Sequence, residues 1–190
     1  MGYKVPVGLS NKHLHLSEAD IETLFGKGHT LTPMKDLKQP GQYAAEEKVD
    51  VVGPKGTLKG LRVLGPARPE TQVELAMTDA RTIGLDVPVR ESGKLAGSAA
   101  AKLVGPAGEV ELKEGVIVAL RHIHLSPDQA KEADVKDKDI VCVKFEGERA
   151  VVFENVLIRS GNGHDFEIHL DTDEGNAAGL SNGQMGEILK

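Results

Sequence analysis

A chain of 190 residues, 39% hydrophobic and 27% charged, has room for one large domain or two small ones around a buried core. Its net charge of −6 opposes nucleic acid or an anionic membrane as the main partner, and its one cysteine, Cys142, excludes an internal disulfide and fits a reducing, cytoplasmic compartment. With no Trp and 3% aromatic residues the core must rest on Val, Leu, Ile and Ala; no apolar run approaches the ~20 residues of a membrane span, and the first ten residues lack a signal-peptide core.

In chain order, VPVGLS (5–10) predicts a strand leading to His13-Leu14-His15. Ser17 then caps a predicted helix over SEADIETLFG (17–26), with acids near its start. His29, in the Gly-flanked turn GKGHTLT, reads as solvent-facing. VDVV (49–52) predicts a strand, and VGPKG and LGPARPE predict turns. Arg68 sits between prolines in LGPARPE (64–70), where a held guanidinium suits a phosphate or carboxylate and equally suits a surface turn. KLAGSAAAKLVG (94–105) is an alanine-rich helix candidate broken by Gly97. GVIVAL (115–120) predicts a strand leading to His122-Ile123-His124, and Ser126 caps a second predicted helix over SPDQAKEAD. IVCVKF (140–145) and AVVFENVLI (150–158) predict strands, with Cys142 read as a buried structural thiol. His164, in SGNGHD, reads as a loop residue beside the second histidine site.

Four of the seven histidines therefore lie in two copies of His-x-His-Leu-Ser, each after an apolar strand and before a short helix. The parallel continues downstream: VELAMTDARTIGL (73–85) aligns without a gap with IHLDTDEGNAAGL (168–180), which sets Glu74 opposite His169 and Asp79 opposite Glu174. The chain reads as an internal duplication. Histidines at i and i+2 share a face only in extended backbone, so the motif can grip one ion at a strand end. Two sets of three metal-capable side chains result: His13, His15 and Glu74; His122, His124 and His169. Three protein ligands with an open position are the pattern of a catalytic zinc site. The alternative is pairs of hydrated surface histidines. No nucleotide-binding glycine motif is present.

The stretches VGLSNKHLHLS, LRVLGPARPETQVEL, ALRHIHLS and FEIHLDTDEGNAAG, in this order across nearly the whole chain, resemble the PduL-type phosphotransacylases, the phosphate propanoyltransferases of bacterial propanediol and related pathways. The resemblance implies a mainly β fold of two small β-barrel domains capped by short helices. It implies that each barrel takes its first strand from the other half, with 12–119 in one barrel and 120–190 with strand 2–11 in the other. It further implies two zinc ions per chain, one on each ligand set, Arg68 on the phosphate, and Ser10, Lys35, Arg62, Leu64 and Asn176 along the coenzyme A site. The activity implied is exchange between a short acyl-CoA with phosphate and an acyl phosphate with CoA, by direct transfer at a dinuclear zinc site. A homo-oligomer is expected. Microcompartment-packaged members carry an N-terminal amphipathic extension that this sequence lacks, so a cytoplasmic, unpackaged enzyme or a trimmed chain is expected. The competing readings are a bicupin-like metal dioxygenase, which has no use for a phosphate-binding arginine, and a non-catalytic metal-binding protein.

Overall fold

The computed structural model describes residues 2–163 and 166–189. The chain divides into two compact units, a first of Lys12–Ala119 and a second of Met1–Asn11 with Leu120–Lys190. Strand β1 (Lys4–Ser10) belongs to the second unit although it precedes the first in sequence.

In the first unit, β2 (His13–His15) and helix α1 (Glu18–Phe25) are followed by β3 (Pro33–Asp36), β4 (Tyr43–Gly53), β5 (Gly56–Gly65) and β6 (Gln72–Glu74). Helix α2 (Met77–Thr82), β7 (Val89–Arg90), β8 (Ala99–Val104) and β9 (Glu109–Ala119) complete it. Six of these strands close a ring in the order β4-β5-β2-β6-β9-β8, since β8 pairs with both β4 and β9. Strand β3 extends β4, and β7 extends β9. In the second unit, β10 (His122–Leu125), α3 (Pro127–Glu132), β11 (Ile140–Phe145), β12 (Val151–Ser160), β13 (Glu167–Asp171), α4 (Thr172–Ala178) and β14 (Met185–Leu189) follow in order. Its barrel closes as β11-β12-β10-β13-β1-β14.

The two rings are the same ring. Read from β4 or from β11, successive ladders run antiparallel, parallel, antiparallel, parallel, antiparallel, antiparallel. In this superposition β9 of the first unit takes the place that β1 takes in the second. Each strand preceding a His-x-His thus completes the barrel of the other half. The sequence alignment is reproduced in the ladders: His13 pairs with Glu74 as His122 pairs with His169. It is reproduced in an ion pair as well. Lys12, just before the first histidine, meets Asp79 at 3.0 Å, and Arg121, in the same place, meets Glu174 at 3.0 Å. Both downstream helices close through a positive-φ glycine, Gly84 (φ 78°) and Gly179 (φ 64°), a conformation that costs glycine no side-chain clash.

Leu14 and Ile123, the middle residues of the two His-x-His motifs, are fully buried in their barrel cores. Strand alternation then turns the flanking histidines to the opposite face of the same strand. Ser17 and Ser126 cap α1 and α3 as expected, with a reciprocal capping box at Ser126 and Gln129.

Several expectations are corrected. KLAGSAAAKLVG forms no helix: β8 alternates with Ala101 and Leu103 inward, and its ladders to β4 and β9 outweigh the helix preference of alanine. Helices α2 and α4 are not among the expected elements: α2 follows Ala76, which offers no capping side chain, whereas the Asp171–Glu174 capping box that opens α4 is a signal present in the sequence. Cys142 is half-exposed, since its neighbours Val141 and Val143 take the inward positions of β11. His29 is half-buried rather than solvent-facing, stacked on Phe25 with its Nε2 2.8 Å from Glu47. His164 lies outside the described residues.

Candidate active site

In the first unit, β2 and β6 lie antiparallel with His13 opposite Glu74. His13 Nε2 is 3.5 Å from Glu74 Oε2, and His13, His15 and Glu74 each offer a ligand atom within 4.8 Å of the others. His15 is 2% exposed and its Nδ1 lies 3.2 Å from the Leu64 carbonyl. A carbonyl only accepts, so Nδ1 carries the proton and Nε2 keeps its lone pair. Burial first, then the Arg68 guanidinium and the neighbouring His13, push the His15 pKa down to about 3. It is a neutral imidazole at any working pH, the form that binds metal.

The Glu74 carboxylate is held from behind. Its Oε1 accepts from Gln72 Nε2 at 2.5 Å and from Ser92 Oγ at 3.2 Å, while Oε2 faces His13. Ser92 Oγ in turn accepts from Arg68 Nη1 at 3.4 Å. Arg68 is therefore wired to a candidate ligand through one hydroxyl, and its backbone N–H is tied to Leu16 O at 2.9 Å. Its side chain lines a cleft of about 370 Å³ with His15, Pro40, Gly41, Gln42, Gly65 and Pro66.

In the second unit, His122, His124 and His169 pack as three mutually inclined rings with centroids 4.8, 5.0 and 4.9 Å apart. His122 Nδ1 faces the Leu120 carbonyl at 2.8 Å, so its Nε2 is again the lone-pair nitrogen. That Nε2 lies 3.1 Å from Nε2 of His124, and two such nitrogens need a proton or a cation between them. Ligand atoms on a tetrahedral zinc at ~2.0–2.1 Å stand roughly 3.3 Å apart. The spacing and the nitrogen-rich donor sets fit zinc.

Of the residues expected along a coenzyme A site, Arg62 and Leu64 lie on β5, whose Arg62 pairs with His13. The Arg62 guanidinium donates to the carbonyls of Ala45 (2.8 Å) and Glu46 (3.0 Å). Lys35 is exposed on β3. Ser10, at the end of β1, and Asn176, exposed on α4, belong to the second unit. Gln72, Ser92 and Glu167 were missed by sequence reasoning. Carrying the gapless alignment one residue further back sets Gln72 opposite Glu167, each two before a third ligand. Ser92 comes from a distant loop and leaves no such signal.

Comparison with known proteins gives one answer. A family profile for phosphate propanoyltransferase matches residues 6–181. The phosphate propanoyltransferase of Thermotoga maritima is 52% identical over 185 residues, covering 97% of this chain and 88% of its own. That of Salmonella typhimurium is 52% identical over 179 residues, 94% and 85% of the two chains. That of Clostridioides difficile is 47% identical over 186 residues, 98% and 89% of the two chains. The duplicated barrels with their two histidine-rich triads thus sit in an acyltransferase scaffold, and the chain belongs to the phosphate propanoyltransferase family.

Proposed function

We propose that this enzyme exchanges phosphate and coenzyme A on a short acyl group: acyl-CoA and phosphate give acyl phosphate and CoA, and the reverse. The observation that carries the reading is Arg68, a guanidinium in the cleft beside the neutral His15 and linked through Ser92 to Glu74. A dioxygenase or a metal store has no use for a fixed cation there, whereas a phosphate does.

Two zinc ions per chain are proposed, one held by His13, His15 and Glu74 and the other by His122, His124 and His169. When bound, they supply Lewis acidity toward phosphoryl and carbonyl oxygens. The protein's own part is positional. Arg68 takes two phosphate oxygens in its fork and orients a third toward the thioester carbon. The phosphate oxygen forms the new C–O bond, the tetrahedral adduct collapses, and the C–S bond breaks with the electron pair leaving on sulfur. The phosphate proton ends on the CoA thiol. Arg68 stays charged throughout and stabilises the anionic adduct. No covalent acyl-enzyme is required. Ser10, Lys35, Arg62, Leu64 and Asn176 are proposed to contact coenzyme A, and the reaction is placed in the cytoplasm or a microcompartment lumen.

The test is release of free thiol from propanoyl-CoA and from acetyl-CoA with and without phosphate. Release that depends on phosphate, with acyl phosphate as the second product, supports the proposal. Phosphate-independent release, or none from the zinc-loaded protein, refutes it.

A further inference from the structure

Each third ligand has a buried companion two residues earlier on its own strand. In the ladders Gln72 pairs with His15, and Glu167 pairs with His124, so the two companions occupy one position of the duplicated fold. They are 1% and 7% exposed. Their chemistry differs, and it differs in step with the ligand.

Gln72 stands behind a carboxylate. Its Oε1 accepts from Gly93 N–H at 2.8 Å, which fixes the amide so that its NH₂ end donates to Glu74 Oε1 at 2.5 Å. Glu167 stands behind an imidazole. Its Oε2 lies 3.0 Å from His169 Nε2, and because a carboxylate only accepts, Nε2 carries the proton and Nδ1 is left as the lone-pair nitrogen. The space for this carboxylate is made by Gly8, which pairs with His169 across β1 and β13; a Cβ there would collide with the Glu167 carboxylate. With its companion, each triad therefore holds one carboxylate: Glu74 beside Gln72, and Glu167 beside His169.

We infer that Gln72 and Glu167 are equivalent positioning residues, one behind each metal centre, and that their identities are matched to the ligand they orient: an amide donor for a carboxylate, a carboxylate acceptor for an imidazole. This rests on the metal reading proposed above. A partner of this kind sets the tautomer and direction of its ligand and raises its basicity.

The experiment is competition for zinc between a chromophoric chelator and the zinc-loaded protein, scored as ions released per chain. Glu167→Gln should loosen one ion by about 10–100-fold and leave the other as in the parent. Gly8→Ala, which displaces the Glu167 carboxylate without removing it, should loosen the same ion. In the first unit, Glu74→His should weaken its ion, and Gln72→Glu/Glu74→His, which copies the second unit's pairing, should recover most of the loss. That recovery is what a merely space-filling role would not produce, and it decides the matter even if Glu167→Gln fails to fold. Parent-like retention in Glu167→Gln, or a double variant no tighter than Glu74→His, overturns the inference while the metal reading stands. A parent protein that binds no zinc overturns both.

Discussion

Replacing Arg68 with lysine keeps the positive charge and removes the fork. The backbone of Arg68 is fixed by its N–H to Leu16 O (2.9 Å), and its side chain is aimed by the contact of Nη1 with Ser92 Oγ (3.4 Å). Nη1 can then hold Ser92 while Nη2 and Nε present the fork to the anion. A lysine ammonium is a single compact centre, and satisfying Ser92 turns it from the cleft. The loss is that of one oriented charge-stabilising group, about 10²–10³ in kcat or roughly 2.7–4 kcal/mol. The fold should hardly notice, because Arg68 is only half-buried and its backbone bond survives, so the stability change should stay within about 0.5 kcal/mol. The assay is initial-rate thiol release from propanoyl-CoA across a phosphate series, with elemental analysis for zinc and a thermal melt on the same preparation. The expected pattern is unchanged zinc, an unchanged melt, a fall in turnover of at least ~10²-fold, and a KM for phosphate that suffers more than the KM for acyl-CoA. Near-native phosphate kinetics would refute the reasoning and make Arg68 a turn residue.

Elemental analysis of the parent should find two zinc ions per chain, and Glu74→Ala and His169→Ala should each lose a different one; retention of both in either variant would contradict the assigned ligands. Ile123→Ala, at a fully buried position between two candidate ligands, should cost about 2–5 kcal/mol in a denaturant melt, and a loss below ~1 kcal/mol would show that the second barrel's core relaxes freely. Burial pushes the Glu47 carboxyl up, but hydrogen bonds from His29 and Thr32 outweigh it and hold the pKa below the ordinary value of 4.5. A depressed folded-state pKa stabilises the fold above the unfolded value and ceases to as pH falls through the folded one. The stability gap between parent and Glu47→Gln should therefore be widest at neutral pH and shrink below about pH 4.5; a gap that widens on acidification would reverse the assignment.

The duplication and the two sets of three candidate ligands can be read along the chain alone. His-x-His is a local signal, since two residues of extended chain suffice to put both rings on one face, and the aligned Glu74 and His169 needed only a gapless comparison. The caps at Ser17 and Ser126 were legible for the same reason: a cap is a bond between near neighbours. The features hidden from a local reading depend on partners far along the chain. Residues 99–104 read as helix-formers, and the choice of strand was made by β4 and β9 on either side. The exchange of β1 and β9 between halves is a matter of which barrel edge each strand closes, and no local pattern specifies it. The link from Arg68 through Ser92 to Glu74 joins three segments, and Glu167 acquires its place behind His169 only because β1 brings Gly8, with no side chain, against it. Local chemistry is written in the order of residues, whereas long-range pairing is settled by the free energy of the whole barrel.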